Sequence, residues 1–97
     1  MPKIQIEWDD DKAERNIKRH DGITFDEAAT CFDDEFAYIY PDELHSDDEV
    51  RDILIGYSNR NRLLLVVFME RGEVVRLISA RRAEPKERKL YEQTKRY

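Results

Sequence analysis

The 97 residues are enough for one domain with a hydrophobic core of moderate size. Charged residues make up 40% of the chain and hydrophobic residues another 40%, which is typical of a soluble globular protein and excludes a disordered one. No apolar run approaches the roughly 18 residues of a membrane helix, and the N-terminus is polar, so we expect a cytosolic protein without a signal peptide.

The net charge of −5 conceals an uneven distribution along the chain. Residues 1–50 carry five Lys or Arg against sixteen Asp or Glu, a net charge of −11. Residues 51–70 have a net charge of +1, and residues 71–97 have one of +5. This split predicts a basic surface suited to phosphate and an acidic surface suited to a basic partner. The alternative is that the two halves of the chain pair with and neutralise each other.

The first part of the chain predicts a strand followed by two helices. Residues 3–8 alternate between polar and apolar side chains, as a half-buried strand does. Asp9–Asp11 begin a helix that reaches about His20, which we interpret as structural. We attribute the three carboxylates to the helix dipole, and a metal-dependent nuclease built on them is the weaker alternative. Thr24 and Glu27 have the spacing of a capping box, which predicts a second, short helix.

The rest of the chain predicts four more strands and a last helix. The strands cover residues 36–40, 51–57, 62–69 and 73–82, and the helix covers residues 84–93. The run at 62–69 is apolar on both faces, which marks the central strand. Short turns join the last three strands into an antiparallel meander. We therefore predict one α+β domain over residues 1–97, in the order β-α-α-β-β-β-β-α, with a mostly antiparallel twisted sheet and helices packed on it.

The inventory of reactive side chains is small. Gly-rich phosphate loops, the C-x-x-C and H-E-x-x-H patterns and a serine elbow are absent, so we predict no cofactor and no metal. The single cysteine, Cys31, cannot form an internal disulfide and falls among core positions. Histidines, carboxylates and arginines remain. They suit RNA cleavage without a metal, in which the RNA 2′-hydroxyl attacks while the protein supplies a base, an acid and positive charge.

Arginines near the end of the last predicted strand suggest a phosphate clamp. Arg81 and Arg82 are adjacent, and Arg62 begins the neighbouring antiparallel strand at a similar register. In a regular strand Arg81 and Arg82 point to opposite faces, with Arg82 on the face of Arg76, unless a bulge lets them converge. Arg62 together with either Arg81 or Arg82 is therefore the preferred clamp. The alternative for each arginine is an ion pair with the acidic half of the chain.

Two further groups of residues suggest chemistry. In the loop before the third strand, His45 is a candidate acid or base, or simply a turn residue, and Glu49 either acts with it or pairs with Arg51. On the last helix, Tyr91 either stacks on a base or packs the helix onto the sheet. The candidate catalytic residues are therefore His45, Glu49, Arg62, Arg81 and Arg82, and the candidate RNA-binding residues are Arg51, Arg76, Arg88 and Tyr91.

A set of residues spread over nearly the whole chain forms a recognisable pattern. It comprises the segments Ile6-Glu-Trp-Asp9, Gly22-Ile-Thr-Phe25, Glu27-Ala-Ala, Phe32-Asp33, Ile55-Gly56-Tyr-Ser58 and Arg76-Leu-Ile-Ser-Ala-Arg81-Arg82-Ala83, with Lys12, Asn16, His20, Asp42, His45, Glu49, Arg51, Arg62, Glu87, Arg88 and Tyr91. This pattern resembles the BrnT toxin family, whose members look like RelE-type ribonucleases. The Ile-Ser-Ala-Arg segment and the Trp-Asp pair are its most specific parts.

The resemblance implies a RelE-like fold and a type II toxin–antitoxin role, in which a ribonuclease cleaves RNA without a metal and arrests translation. It also implies a BrnA-like antitoxin with a ribbon-helix-helix region, which would neutralise the toxin in a hetero-oligomer and contact operator DNA on its behalf. The acidic half of the chain is then expected to face away from RNA. The alternative function is a non-catalytic binding module, or a co-repressor acting with its DNA-binding partner.

Overall fold

The computed structural model describes residues 4–44 and 50–95. Within these residues the chain forms five strands and three α-helices in the order predicted from the sequence. They are β1 (Gln5–Glu7), α1 (Asp10–Arg19), α2 (Phe25–Thr30), β2 (Tyr38–Pro41), β3 (Asp52–Tyr57), β4 (Leu63–Arg71), β5 (Val74–Arg82) and α3 (Pro85–Lys95). A short 3-10 turn at Cys31–Asp33 extends α2. The prediction of element order is confirmed, although β1 is shorter than expected.

Local hydrogen bonds explain where α1 and α2 begin. The Asp9 carboxylate accepts a hydrogen bond from the Lys12 backbone N–H at 3.1 Å. The Thr24 hydroxyl accepts one from the Glu27 backbone N–H at 3.0 Å. Each bond satisfies an N–H group that a helix leaves unpaired in its first turn. Both predicted helix starts are therefore confirmed.

The five strands form one mixed sheet in the order β1-β5-β4-β3-β2. The strands β2 to β5 pair antiparallel with their sequence neighbours, which confirms the predicted meander. The expectation of a mostly antiparallel sheet needs correction at one edge, because β1 runs parallel to β5. The first strand of the chain lies beside the last one, and parallel neighbours need a long crossover connection. Alternation of side chains within β1 carries no information about that distant partner.

The two faces of the sheet are covered by different helices. The larger core lies on the side of α1 and α2 and contains Ile23, Phe25, Ala28, Cys31, Leu54, Leu64, Val66, Phe68, Val75, Leu77 and Ala80. The smaller core lies on the side of α3 and contains Ile55, Leu63, Leu65 and Tyr91. Consecutive residues of β4 enter opposite cores, which confirms it as the central strand. Burial raises the pKa of the Cys31 thiol to about 12, as expected for a core residue rather than a nucleophile.

A bulge in β5 changes the direction of every side chain that follows it. Val67 of β4 pairs with Ser79, whereas the next residue, Phe68, pairs with Leu77, so Ile78 is an extra residue in β5. Arg81 consequently lies opposite Leu65 on the α3 side of the sheet. A regular strand predicts the reverse, with Arg81 on the face of Leu77. The bulge therefore overturns the face assignments made from strand alternation.

The Asn16 side chain attaches α1 to the open edge of β5. Its Nδ2 donates to the carbonyl oxygens of Ala80 at 2.8 Å and Ile23 at 3.0 Å, and its Oδ1 accepts from the Ala80 N–H at 2.9 Å. β1 pairs with residues 74–76 alone and leaves the later part of this edge without a strand neighbour. The Asn16 amide, 4% exposed, thus takes the place of a neighbouring strand at Ala80.

We expect Asn16→Ala to lower the free energy of unfolding by about 2–4 kcal/mol, because it leaves the buried Ala80 N–H and carbonyl groups without partners. Urea denaturation followed by circular dichroism measures this change. Lys18→Ala, on an exposed face of the same helix, is the control and should change stability by less than about 0.5 kcal/mol. Equal stability of the two variants would contradict the assignment of Asn16 as the attachment point.

Candidate functional site

Two clefts are lined by residues from the start of α3. The first, which we call the sheet cleft, has a volume of about 470 Å³ and is lined by His20, Tyr40, Asp42, Leu44, Arg51, Ile53, Leu65, Val67, Ile78, Ser79, Arg81, Lys86 and Glu87. The second, the rim cleft, has a volume of about 450 Å³ and is lined by Tyr57, Asn61, Arg62, Leu63, Arg82, Ala83 and Arg88. The arginines predicted to act together are therefore divided between two places.

An ion pair between Arg81 and Glu87 joins the end of β5 to the first turn of α3. Nη1 of Arg81 donates to Oε1 of Glu87 at 2.8 Å, Nη2 donates to Oε2 at 2.7 Å, and the Glu84 backbone N–H donates to Oε1 at 2.7 Å. Burial by itself raises the pKa of Glu87, but the hydrogen bonds from Arg81 and Glu84 outweigh it, so the pKa lies below its ordinary value. The carboxylate therefore stays charged and fixes the Arg81 guanidinium at the wall of the sheet cleft.

The sheet cleft combines a histidine with cationic side chains from several elements. His20 caps the C-terminus of α1, where its backbone N–H donates to the Asn16 carbonyl at 2.9 Å, and it lines the cleft together with Ile78 and Ser79 of β5. Arg51 precedes β3 and Lys86 lies in the first turn of α3. Burial raises the pKa of Tyr40, so its hydroxyl remains a proton donor in neutral solution. Imidazole is the side chain best suited to exchanging a proton near neutral pH.

Among the described residues, the rim cleft is lined by three arginines and by no carboxylate. Nη1 of Arg88 donates to the Tyr57 hydroxyl at 3.1 Å, and Arg82 is exposed to solvent. An excess of guanidinium groups over carboxylates makes this cleft attractive to phosphate.

Arg62 forms an ion pair with Glu27, a buried residue of α2. Its Nε donates to Oε2 of Glu27 at 2.8 Å, and its Nη2 is paired with Oε1 of the same carboxylate. The Ser58 hydroxyl donates to Oε2 at 2.7 Å. The hydrogen bond from Arg62 lowers the pKa of Glu27 by more than burial raises it. This network attaches α2 to the turn between β3 and β4, which is the ion-pair alternative considered for Arg62 from the sequence.

The positions of the other predicted residues differ widely. Arg51 and Arg81 line the sheet cleft, whereas Arg62, Arg82 and Arg88 line the rim cleft. Arg76 lies in neither cleft and pairs with Glu7 of the neighbouring strand, with 2.6 Å between Nη1 and Oε2. Of the two clamps predicted from the sequence, the structure brings together Arg62 with Arg82 and separates Arg62 from Arg81.

Tyr91 lies inside the smaller core. It is 3% exposed, and its hydroxyl donates to Oδ2 of Asp34 at 2.7 Å. Its ring contacts Tyr57 edge-on, with 5.3 Å between the ring centroids. Burial, followed by the hydrogen bond to Asp34, raises its pKa. This position favours packing of α3 onto the sheet over stacking on an RNA base.

His45 and Glu49 lie outside the described residues. The chain is described up to Leu44 and again from Val50, and both Leu44 and Arg51 line the sheet cleft. The predicted roles of His45 and Glu49 stay predictions.

His20, which the sequence interpretation treats as structural, lines the sheet cleft. Asn16 and His20 are four residues apart and therefore project from one face of α1. Asn16 is buried against the edge of β5 and His20 lines the adjoining cleft. A polar pair at this spacing on a helix that packs against a sheet is the signal that could have identified His20.

Metal-binding clusters and membrane-spanning helices are both absent from the described residues. No group of three or more His, Cys, Asp or Glu side chains is arranged to hold a metal ion. No helix is long and apolar enough to span a bilayer.

The chain is similar to a known protein family and to a solved structure. Residues 8–87 match a family model described as the ribonuclease toxin BrnT of a type II toxin–antitoxin system. The fold is similar to that of the Brucella abortus ribonuclease toxin BrnT, whose crystal structure was determined at 1.1 Å resolution. The two chains share 26% sequence identity with a TM-score of 0.64, over 84% of this chain and 99% of the other. No curated protein matches the sequence.

We expect Glu87→Gln to lower the free energy of unfolding at pH 7 by about 1–3 kcal/mol, because the partly buried Arg81 loses its charged partner. The pKa of Glu87 is lower in the folded protein than its ordinary value of 4.5, so the ion pair stabilises the fold above that pH. This stabilisation is lost as the pH falls through the lower, folded pKa.

Urea denaturation from pH 7 to pH 3 tests this linkage. The difference in stability between wild type and Glu87→Gln should shrink on acidification, whereas Glu92→Gln, an exposed change on the same helix, should match wild type throughout. A difference between wild type and Glu87→Gln that stays constant over this range would show that the charge of Glu87 does not stabilise the fold.

Proposed function

Because the chain belongs to the BrnT family of type II toxin–antitoxin ribonuclease toxins, we propose that it cleaves RNA in the sheet cleft without a metal ion. The observation that carries this proposal is that His20 lines the same cleft as Arg51, Arg81 and Lys86. A proton acceptor and a cluster of positive charge are what RNA needs in order to be cleaved by its own 2′-hydroxyl.

We assign the roles as follows from the chemistry of each group. The imidazole of His20 takes the proton of the 2′-hydroxyl, whose oxygen forms a new bond to the adjacent phosphorus. The guanidinium groups of Arg51 and Arg81 stabilise the negative charge of the pentavalent phosphorane. The bond from phosphorus to the 5′-oxygen then breaks, and the Tyr40 hydroxyl protonates that oxygen. The products are a 2′,3′-cyclic phosphate and a 5′-hydroxyl.

Glu87 acts through Arg81 in this proposal. Its two carboxylate oxygens hold both terminal nitrogens of the guanidinium, at 2.8 and 2.7 Å. The Arg81 side chain is nevertheless 34% exposed, so one side of the group remains open to a phosphate. A charge that is fixed before the substrate arrives needs no reorganisation during the reaction.

The remaining candidates keep narrower roles. His45 and Glu49 are alternative proton-transfer groups, because Leu44 and Arg51, which flank them in the sequence, line the sheet cleft. Arg62, Arg82 and Arg88 form an alternative phosphate clamp in the rim cleft. Arg76 is the weakest RNA-binding candidate, because its guanidinium is paired with Glu7 outside both clefts.

Membership of a toxin–antitoxin family implies an antitoxin partner and an RNA target. We propose that the antitoxin is BrnA-like, binds the toxin in a hetero-oligomer and connects it to operator DNA through a ribbon-helix-helix region. We further propose that cleavage takes place in the cytosol on a RelE-like fold and inhibits translation.

One observation favours a second candidate function, that of a non-catalytic binding module or co-repressor. Arg62 and Arg81, both predicted to bind the scissile phosphate, are each paired with a buried glutamate. Paired arginines carry less net positive charge to a substrate. A binding module would show salt-dependent RNA or DNA affinity without any scission.

We expect His20→Gln to lower kcat/KM for RNA cleavage by about 10²–10⁴-fold, because the reaction loses its proton acceptor. Lys18→Gln, two residues earlier on an exposed part of α1, is the control for the fold of this helix. Growth arrest on induction and cleavage of a labelled RNA by the purified protein are both measured. The double variant Arg82→Gln/Arg88→Gln tests the rim cleft in the same assays. Loss of cleavage in that variant, with full activity of His20→Gln, would move the active site to the rim cleft.

We expect cleavage to continue in EDTA and to leave a 2′,3′-cyclic phosphate, because the RNA supplies the nucleophile. RNA that carries a 2′-O-methyl group at the cleavage site should resist the enzyme. Mass spectrometry of the products identifies both ends. Dependence on Mg²⁺, or cleavage of the 2′-O-methyl RNA, would contradict the proposed mechanism.

A further inference from the structure

The acidic half of the chain concentrates its few cations in one groove. Residues 1–50 contain five Lys or Arg side chains, at Lys3, Lys12, Arg15, Lys18 and Arg19. Three of the five, Lys12, Arg15 and Arg19, line a groove of about 240 Å³ along α1, which we call the α1 groove. A cluster of three cations in one groove is unexpected in a segment with a net charge of −11, and it indicates a function.

The helix presents these three cations to solvent as one row. Their positions, at i, i+3 and i+7, lie on one side of an α-helix, and the row is about 10 Å long. All three residues are exposed. Within residues 4–44 and 50–95, no Asp or Glu lines the groove, although Asp10, Asp11 and Glu14 belong to the same helix. The cationic ends are therefore not neutralised by carboxylates within the groove.

The α1 groove continues into the sheet cleft. Both cavities are lined by His20, Ile78 and Ser79, at the bulge of β5. The two can meet there because β1 ends its pairing at Arg76 and leaves the edge of β5 to α1, which is attached through Asn16. A chain lying in the α1 groove therefore reaches the imidazole of His20 without crossing a strand.

We propose that the α1 groove binds the phosphates of the RNA strand next to the scissile bond. This inference rests on the proposed ribonuclease function and adds to it a path for the substrate. The strand is single, and a row of cations that follows its backbone binds the phosphates without a sequence preference. The acidic half of the chain thus takes part in RNA binding through α1, contrary to the expectation that it faces away.

The test compares two charge-matched double variants of the full chain. Arg15→Gln/Arg19→Gln removes two cations from the α1 groove, and Lys18→Gln/Lys89→Gln removes two exposed cations outside it. The probe is a fluorescent 2′-O-methyl RNA 12-mer, which cannot supply the nucleophile, so that binding is measured independently of cleavage. Fluorescence anisotropy at several NaCl concentrations gives the Kd and its salt dependence.

We expect the groove variant to bind the probe more weakly than wild type, with a slope of log K against log[NaCl] that is about 1.4 smaller. Each phosphate contact with a single strand contributes roughly 0.7 to this slope. The control variant should lose much less affinity. In cleavage assays, the ratio of kcat/KM for a 12-mer to kcat/KM for a dinucleotide should fall in the groove variant, because the dinucleotide does not extend along α1.

The possible results distinguish a failure of this inference from a failure of the proposed function. If wild type cleaves RNA and the groove variant keeps the Kd and slope of wild type, the α1 groove is not the path of the substrate. If wild type binds the probe and the groove variant does not, but neither protein cleaves RNA, the α1 groove is an RNA-binding site and the ribonuclease assignment is wrong. Loss of binding to an acidic protein partner, with RNA binding intact, would make the groove a protein interface and overturn the inference.

Discussion

The extra residue at Ile78 determines how the end of β5 serves both packing and chemistry. Before the bulge, Val75 and Leu77 face the larger core, and after it Ala80 does so. Without the bulge, Arg81 would follow Leu77 onto that same face, where a guanidinium would displace apolar contacts beneath α1 and α2. One inserted residue therefore keeps the core apolar and directs Arg81 towards α3.

Two buried glutamates connect helices to arginines at or next to the ends of strands. Glu27 binds Arg62 on the side of α2, and Glu87 binds Arg81 on the side of α3. Each pair joins a helix to the end of a strand. The two glutamate side chains are 5% and 6% exposed, so removal of the arginine partner would leave a buried carboxylate without its counter-charge. The value of the pairs here lies in the fixed orientation of two guanidinium groups.

The helix α1, the α1 groove and the sheet cleft meet at the edge of β5. Asn16 attaches α1 to this edge, His20 follows one helical turn later, and Ser79 lies at the junction of the α1 groove and the sheet cleft. At 26% identity the Brucella abortus toxin has a similar fold. A shared fold does not by itself assign roles to side chains, and those roles depend on the local geometry of each cleft.

The sequence by itself determined the α+β class, the order of the elements, the starts of α1 and α2 at Asp9 and Thr24, and the central position of β4. These features depend on neighbours within about four residues or on the apolar content of one segment, which a linear sequence displays directly. Only the tertiary structure decided that β1 lies parallel to β5, that Ile78 forms a bulge and that Arg81 and Arg82 line different clefts. The position of His20 beside β5 was also decided only by the tertiary structure, since it brings together residues about 60 positions apart in the sequence. Such features result from competition among distant segments for the same edge and the same core, and a pattern within one segment does not reveal its outcome.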